Sequence, residues 1–164
     1  MLRNKTHQTG FTLIELMVAI AIMAILVALA IPRYQAYVIR NNRVAVQAEM
    51  MQIASLMELR KAQFLNYTMT QSTSSARLAA LGRSDRFPAV TTQPQLYTLT
   101  LNVATNGLTW DLRAVPTGRQ AMGNDGALAL DSQGRQCWSR GSNSGCSSEA
   151  DRNNANNAWG TNNR

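Results

Sequence analysis

The sequence predicts an α+β fold, in which one long N-terminal helix packs on a three- to four-stranded antiparallel sheet. Three observations predict it. From Leu16 to Ile31 every residue is apolar, and Glu15 is the only charge between Phe11 and Ile31. The next stretch, Arg33 to about Leu65, has no Pro or Gly and repeats apolar residues at helical spacing. Further on, two stretches alternate apolar and polar residues around an Asn-Gly turn, the pattern of strands solvated on one face.

Composition bounds the rest. The chain has 164 residues, enough for one domain of ordinary size. With 45% hydrophobic and 15% charged residues it is too apolar for a disordered chain. Sixteen Lys and Arg against nine Asp and Glu give a formal charge of +7. Two cysteines and one histidine, His7, cannot fill a tetrahedral zinc site or staple a many-disulfide scaffold. No cofactor is expected.

As a helix, Phe11–Ile31 rises roughly 32 Å, close to the hydrocarbon thickness of a bilayer. Before it lies a short polar leader, Met1–Gly10, with Arg3, Lys5 and His7. Arg33, Arg40 and Arg43 follow it, so counting positive charges leaves the orientation nearly tied. The cysteines favour placing the C-terminal part outside. Glu15 is the anomaly, because a carboxylate at a membrane centre costs roughly 2.5–3.5 kcal/mol, less near the end of the span. The bland reading is a Glu that snorkels to the headgroups or is protonated. The functional reading needs a cation, and no Lys, Arg or His lies between Thr12 and Pro32. Another chain could bring one, or a cut between Gly10 and Phe11 could create an amine one helical turn from Glu15.

Gly10-Phe11-Thr12-Leu13-Ile14-Glu15, behind a basic leader and ahead of an apolar run, resembles the prepilin-type signal of the type IV pilin family. The resemblance implies a pilin fold, cleavage after Gly10 by a prepilin peptidase, and N-methylation of Phe11. It implies that Glu15 pairs with the Phe11 amine of a neighbouring subunit during assembly. Pro32 ends the apolar run and falls where pilins carry a helix-bending proline. The implied partners are other pilin subunits, the prepilin peptidase, the inner-membrane assembly machinery and the inner membrane itself. The implied location is the bacterial inner membrane with a periplasmic head, and then a surface pilus. An ordinary secretory signal cut at Ala28-Leu29-Ala30 is the rival, but Glu15 at the head of its apolar core argues against it.

On the helix after the span, Ile39, Val46, Met50, Ile53, Met57 and Phe64 form one stripe. Tyr37, Val44, Ala48, Leu59 and Ala62 form a second. Arg40, Arg43, Gln47, Glu58 and Lys61 make a narrow polar face. One stripe is expected to face this chain's sheet and the other to be open to sister subunits; burial of both within the monomer is the alternative.

Asn66 to Pro94 turns polar and reads as a surface connection over the sheet, with a helical turn near Ala76–Leu81. Leu96–Val103 alternates, Asn106-Gly107 signals a hairpin, and Leu108–Val115 places Leu108, Trp110, Leu112 and Ala114 on one face. Short strands are expected at Ala127–Leu130 and near Arg135–Ser139. Resemblance to minor pilins of the type IVa class extends, more loosely, to Val115–Gln120 and Leu128–Trp138.

Cys137 and Cys146 enclose a polar loop, and in an exported domain a disulfide is the default for such a pair. Closing a loop of about ten residues stabilises by roughly 2.7 kcal/mol on the chain-entropy model. Pilins often close a C-terminal loop this way. Trp110, Trp138 and Trp159 occur among Arg113, Arg119, Arg135, Arg140, Arg152 and Arg164. Such groups stack on single-stranded nucleic acid, which makes DNA a possible partner, although solvated strand faces and loops ordinarily carry arginine. The Asn-rich end reads as a flexible tail. The expected segments are therefore a leader (1–10), a transmembrane and assembly helix (11–32), an amphipathic half (33–66), a head (67–146) and a polar tail (147–164).

An enzyme is not expected. If Gly10–Phe11 is cut, His7 leaves and no Ser-His-Asp or Cys-His arrangement remains. Turns account for Asp125 and Asp131. The expected function is a structural subunit of a type IV pilus serving motility, adhesion or DNA uptake, in particular a minor pilin. A type II secretion pseudopilin is the nearest alternative, and a membrane-anchored envelope or DNA-binding protein that does not assemble is the alternative of another class.

Overall fold

A computed structural model describes residues 11–118, 125–153 and 158–159. Two compact units divide the chain, one ending at Val38 and one beginning at Ile39. Helix α1, Leu13–Phe64, contributes to both and contains Pro32. Pro32 offers no N–H to the Ala28 carbonyl one turn back, yet the helix continues on either side.

In the first unit every residue from Phe11 to Tyr37 is exposed. The apolar part of α1 is long and apolar enough to cross a membrane, and none of its most apolar window is buried within the chain.

The second unit is a meander. Strands β1 (Arg86–Phe87), β2 (Tyr97–Val103), β3 (Trp110–Pro116), β4 (Ala127–Asp131) and β5 (Gln136–Ser139) pair antiparallel in sequence order. The register sets Leu99 opposite Ala114, Leu101 opposite Leu112, and Leu128 opposite both Ala114 and Trp138. These side chains share one face. Val46, Met50, Ile53 and Met57 of α1, each fully buried, belong to the same core. Burial of each contributes roughly 1.5–3 kcal/mol. Two short helices, α2 (Ser74–Ala80) and α3 (Glu149–Asn153), complete the unit.

The fold class is the expected α+β, with five strands instead of three or four. The extra strand, β1, has two residues and exists only by pairing with Tyr97 and Thr98, so it carries no periodic signal of its own. It lies in the stretch read as a surface connection, and that reading needs a second correction. Tyr67 and Leu78 of the same stretch are buried in the core. Tyr67 stacks edge-on against Trp110 at 6.4 Å and donates its hydroxyl to Glu58 Oε1 at 2.8 Å.

Leu108 is also corrected, since it is 64% exposed and β3 starts at Trp110. The turn before it has Gly107 at φ +66°, where a Cβ would strike Thr68. Nor is the sheet solvated along its whole second face. All of β4 is buried, because Ala129, Cys137 and Cys146 form a small second core beneath the disulfide loop. Finally, Glu149–Asn153 is helical and Trp159 is buried, so the described part of the predicted flexible tail is folded. Its Asn-rich residues 154–157 and 160–164 lie outside the described residues.

Candidate functional site

Four features carry the chemistry, and each is built from side chains that the fold brings together. The first is the start of α1. Thr12 precedes the helix and its Oγ1 accepts the Glu15 N–H at 3.3 Å. Thr12-x-x-Glu15 has the spacing of a capping box, a signal that the motif reading passes over. A carboxylate in the first turn is also favoured by the helix dipole, which lowers the cost of keeping Glu15 there. Phe11, 83% exposed, stands just outside the helix. Gly10 and the rest of the leader lie outside the described residues.

The second is a buried ionic cluster. Arg43 sets its Nε 2.9 and 3.2 Å from the two Asp125 carboxylate oxygens, and its Nη2 donates to the same group. Tyr97 donates its hydroxyl to Asp125 Oδ2. Trp138 Nε1 donates to the Asp125 carbonyl at 2.7 Å, and the Arg43 guanidinium lies 3.7 Å from the Trp138 ring centroid. The Asp125 side chain is 1% exposed and that of Arg43 12%. Burial, then the bond to Asp125, raises the Tyr97 pKa far above the usual phenol value. Sequence reasoning put Arg43 on the polar face and Asp125 in a turn. A signal existed, because Arg43 follows Ile39 by four and precedes Val46 by three, squarely on the buried stripe.

The third is the hub at Asp131. Its Oδ1 accepts the backbone N–H groups of Gln133 and Arg135 at 3.0 and 3.1 Å, and its Oδ2 accepts Arg135 Nε at 2.7 Å. Arg152 of α3 adds an ion pair at 3.3 Å. Trp159 Nε1 donates to the Cys137 carbonyl at 2.8 Å. These bonds hold the C-terminal segment against β5.

The fourth is the loop closed by the Cys137–Cys146 disulfide, with a Cα–Cα distance of 5.7 Å. Arg113 of β3 reaches under it, and its Nη2 donates to the carbonyls of Asn143 and Gly145, both at 2.7 Å. Arg140, directly after β5, is exposed.

This arrangement removes the stacking surface suggested for nucleic acid. Trp110, Trp138 and Trp159 are 4%, 2% and 9% exposed, so their faces are packing surfaces. Arg113, Arg135 and Arg152 are engaged within the fold. Arg119 and Arg164 lie outside the described residues.

The two stripes of α1 separate between Val44 and Leu59. Val46, Met50, Ile53 and Met57 are buried, whereas Tyr37, Val44 and Leu59 are 62%, 54% and 60% exposed. Phe64, expected on the inner stripe, is 56% exposed at the helix end, beside the Arg60 guanidinium.

Comparison with known proteins points one way. A family model described as type IV minor pilin ComP, DNA uptake sequence receptor, matches residues 32–128. Another, the prokaryotic N-terminal methylation motif, matches residues 5–31. The type IV major fimbrial protein FimA of Dichelobacter nodosus is 48% identical over 54 residues, covering 33% of this chain and 35% of that protein. Fimbrial protein EcpC of Eikenella corrodens is 60% identical over 38 residues, 23% of this chain and 25% of that protein. The chain thus matches about a third or less of the length of these relatives. A solved type IV pilin from Shewanella oneidensis is similar at 23% identity, covering 58% of this chain and 92% of that one, with a TM-score of 0.39.

Proposed function

Because this chain belongs to the type IV minor pilin ComP family, we propose that it is a structural subunit of a type IV pilus that contributes to DNA uptake. The observation that carries the reading is where the two family matches meet. The methylation motif ends at Ile31 and the minor-pilin match begins at Pro32, within one continuous helix. On this reading one helix carries both the membrane anchor and the first element of the head.

On this reading a prepilin peptidase cuts after Gly10, and Phe11 becomes the methylated terminus. The apolar part of α1 waits in the inner membrane with the head in the periplasm. Assembly then moves it into a filament core, where Glu15 meets the Phe11 amine of a neighbour. Pro32 relieves one backbone bond between span and head. The exposed stripe of Tyr37, Val44 and Leu59 offers sister subunits an apolar surface. The family is a structural pilin, not an enzyme class, and assembly is the whole of the proposed work apart from DNA contact.

DNA enters from the family description and from the excess of basic residues, which stays positive after the leader takes Arg3 and Lys5 from the +7 of the uncut chain. With the tryptophans buried, phosphate contact by exposed basic side chains is one route, and Arg140 on the disulfide loop is one donor. The test is joint. Mass measurement of the mature chain must give a start at Phe11, and sheared filaments must contain the chain. Duplex binding by the purified protein must weaken steeply with salt. A chain that keeps its leader, or never leaves the membrane fraction, would refute the assembly reading.

A further inference from the structure

The apolar run of α1 carries no tyrosine, tryptophan or basic residue between Thr12 and Pro32, and then Arg33, Tyr34 and Tyr37 arrive within five positions. All three are exposed, Tyr34 by 69% and Tyr37 by 62%. Tyr34 and Tyr37 stand three residues apart, and Arg33 and Tyr37 four apart, so they share a side of the helix. We propose that these three side chains form a collar that seats in the headgroup layer of an anionic phospholipid bilayer and sets the depth of α1 before assembly. The inference rests on the reading that the first part of α1 resides in a membrane.

Depth arithmetic supports the assignment. At about 1.5 Å per residue, the Cα of Arg33 lies about 3 Å past Ile31, that of Tyr34 about 4.5 Å and that of Tyr37 about 9 Å. The headgroup layer on each side of a bilayer is about 5–7 Å thick. Long helical side chains lean back towards the N-terminus, which here is towards the hydrocarbon. The Tyr34 ring therefore reaches the inner boundary of that layer and the Tyr37 ring its outer part.

A phenol suits this zone because its ring is apolar and its hydroxyl needs a polar partner. Arg33 starts near the inner boundary of that layer. Its aliphatic stem can lie along the hydrocarbon edge while the guanidinium rises to lipid phosphates, where it donates in pairs. Water would leave both phenol rings unburied, and the hydrocarbon core would leave three polar groups unsatisfied. The headgroup layer satisfies all of them.

The test uses the full chain reconstituted at low density into phosphatidylethanolamine–phosphatidylglycerol vesicles. Tyr34→Trp, Tyr37→Trp and, as a mid-span control, Leu26→Trp are compared with the parent, whose own tryptophans are buried in the head. Nitroxides are placed on lipid headgroups or deep on acyl chains. The added emission of Tyr34→Trp and Tyr37→Trp should be quenched at least twofold more by the headgroup nitroxide, and that of Leu26→Trp at least twofold more by the deep one. Arg33→Gln should move Tyr34→Trp towards the deep nitroxide. Absence of headgroup quenching at 34 and 37 beside a normal Leu26→Trp result overturns the collar alone. Absence of quenching at Leu26→Trp as well overturns the membrane reading and the collar together. An Arg33→Gln change that leaves the Tyr34→Trp ratio unmoved removes Arg33 from the collar.

Discussion

Arg43 and Asp125, 82 residues apart in the chain, form a buried ion pair that joins α1 to the turn entering β4. The Tyr97 hydroxyl donates to Asp125, and the Trp138 ring lies against the Arg43 guanidinium. Removing one partner leaves the other charged and buried, which typically costs about 3–5 kcal/mol. Arg43→Met and Asp125→Asn are each predicted to destabilise the full chain in detergent by roughly that amount. The double variant should lose clearly less than the sum. Denaturant unfolding in a double-mutant cycle measures this, and strict additivity would show that the pair does not interact energetically.

Tyr97 predicts an alkaline limit. Its folded pKa is raised by burial and then by the bond to Asp125, above an unfolded value of 10.0. A raised pKa means that the folded state holds the proton more tightly. The corresponding stability is complete below pH 10 and is lost as pH climbs towards the folded value. Burial, helped by Glu58, raises Tyr67 in the same direction. Tyr97→Phe should cost about 1–2 kcal/mol at neutral pH by leaving an Asp125 oxygen short of a donor. It should also flatten the decline above pH 10, leaving the Tyr67 share. Thermal midpoints from pH 8 to 11 test both parts.

Legibility followed locality. The membrane-length run, the Val46–Met57 stripe and the alternation of β2 and β3 each repeat over several residues, so their period can be read without knowing any partner. Arg43 obeys the same helical period, but its charge points to the polar face. Only Asp125, Tyr97 and Trp138, brought in from three other places, make burial tolerable there. β1 and the folded C-terminal segment left still less trace. Arg86–Phe87 is a strand because Tyr97–Thr98 lies beside it, and Trp159 is ordered by the carbonyl of Cys137, 22 residues earlier.

That last bond makes Trp159 testable. A flexible tail would tolerate Trp159→Ala without loss. The buried indole, with its hydrogen bond on the edge strand β5, instead predicts a loss of about 3 kcal/mol. The midpoint of denaturant unfolding should fall accordingly. An unchanged midpoint would return the segment to the role of a loose tail.

Arg113 predicts how the disulfide loop is held. Its guanidinium satisfies two loop carbonyls, those of Asn143 and Gly145, so the loop stays closed over Cys137 and Cys146. Arg113→Ala should leave the bond formed but expose it, raising its rate of reduction by dithiothreitol several-fold under native conditions. Trapping free thiols over time with a maleimide measures that rate. Equal rates in parent and variant would mean that the sheet, not Arg113, guards the bond.

Glu15 has two roles to separate, one structural and one in assembly. Structurally it occupies the first turn of a helix capped by Thr12, where a carboxylate favours the helix start. For assembly, the proposed pairing with a neighbour's Phe11 amine needs the charge itself. Thr12→Ala weakens the cap by about 1 kcal/mol and keeps the charge. Glu15→Gln keeps the size and polarity of the side chain and removes the charge. If pairing governs, Glu15→Gln and Glu15→Ala should both be processed normally, remain in the membrane fraction and fall at least tenfold in sheared filaments, while Thr12→Ala should incorporate almost normally. Quantifying mature chain in membrane and filament fractions separates the cases. An equal fall for Thr12→Ala would assign Glu15 to starting the helix and leave no work for the intersubunit pair.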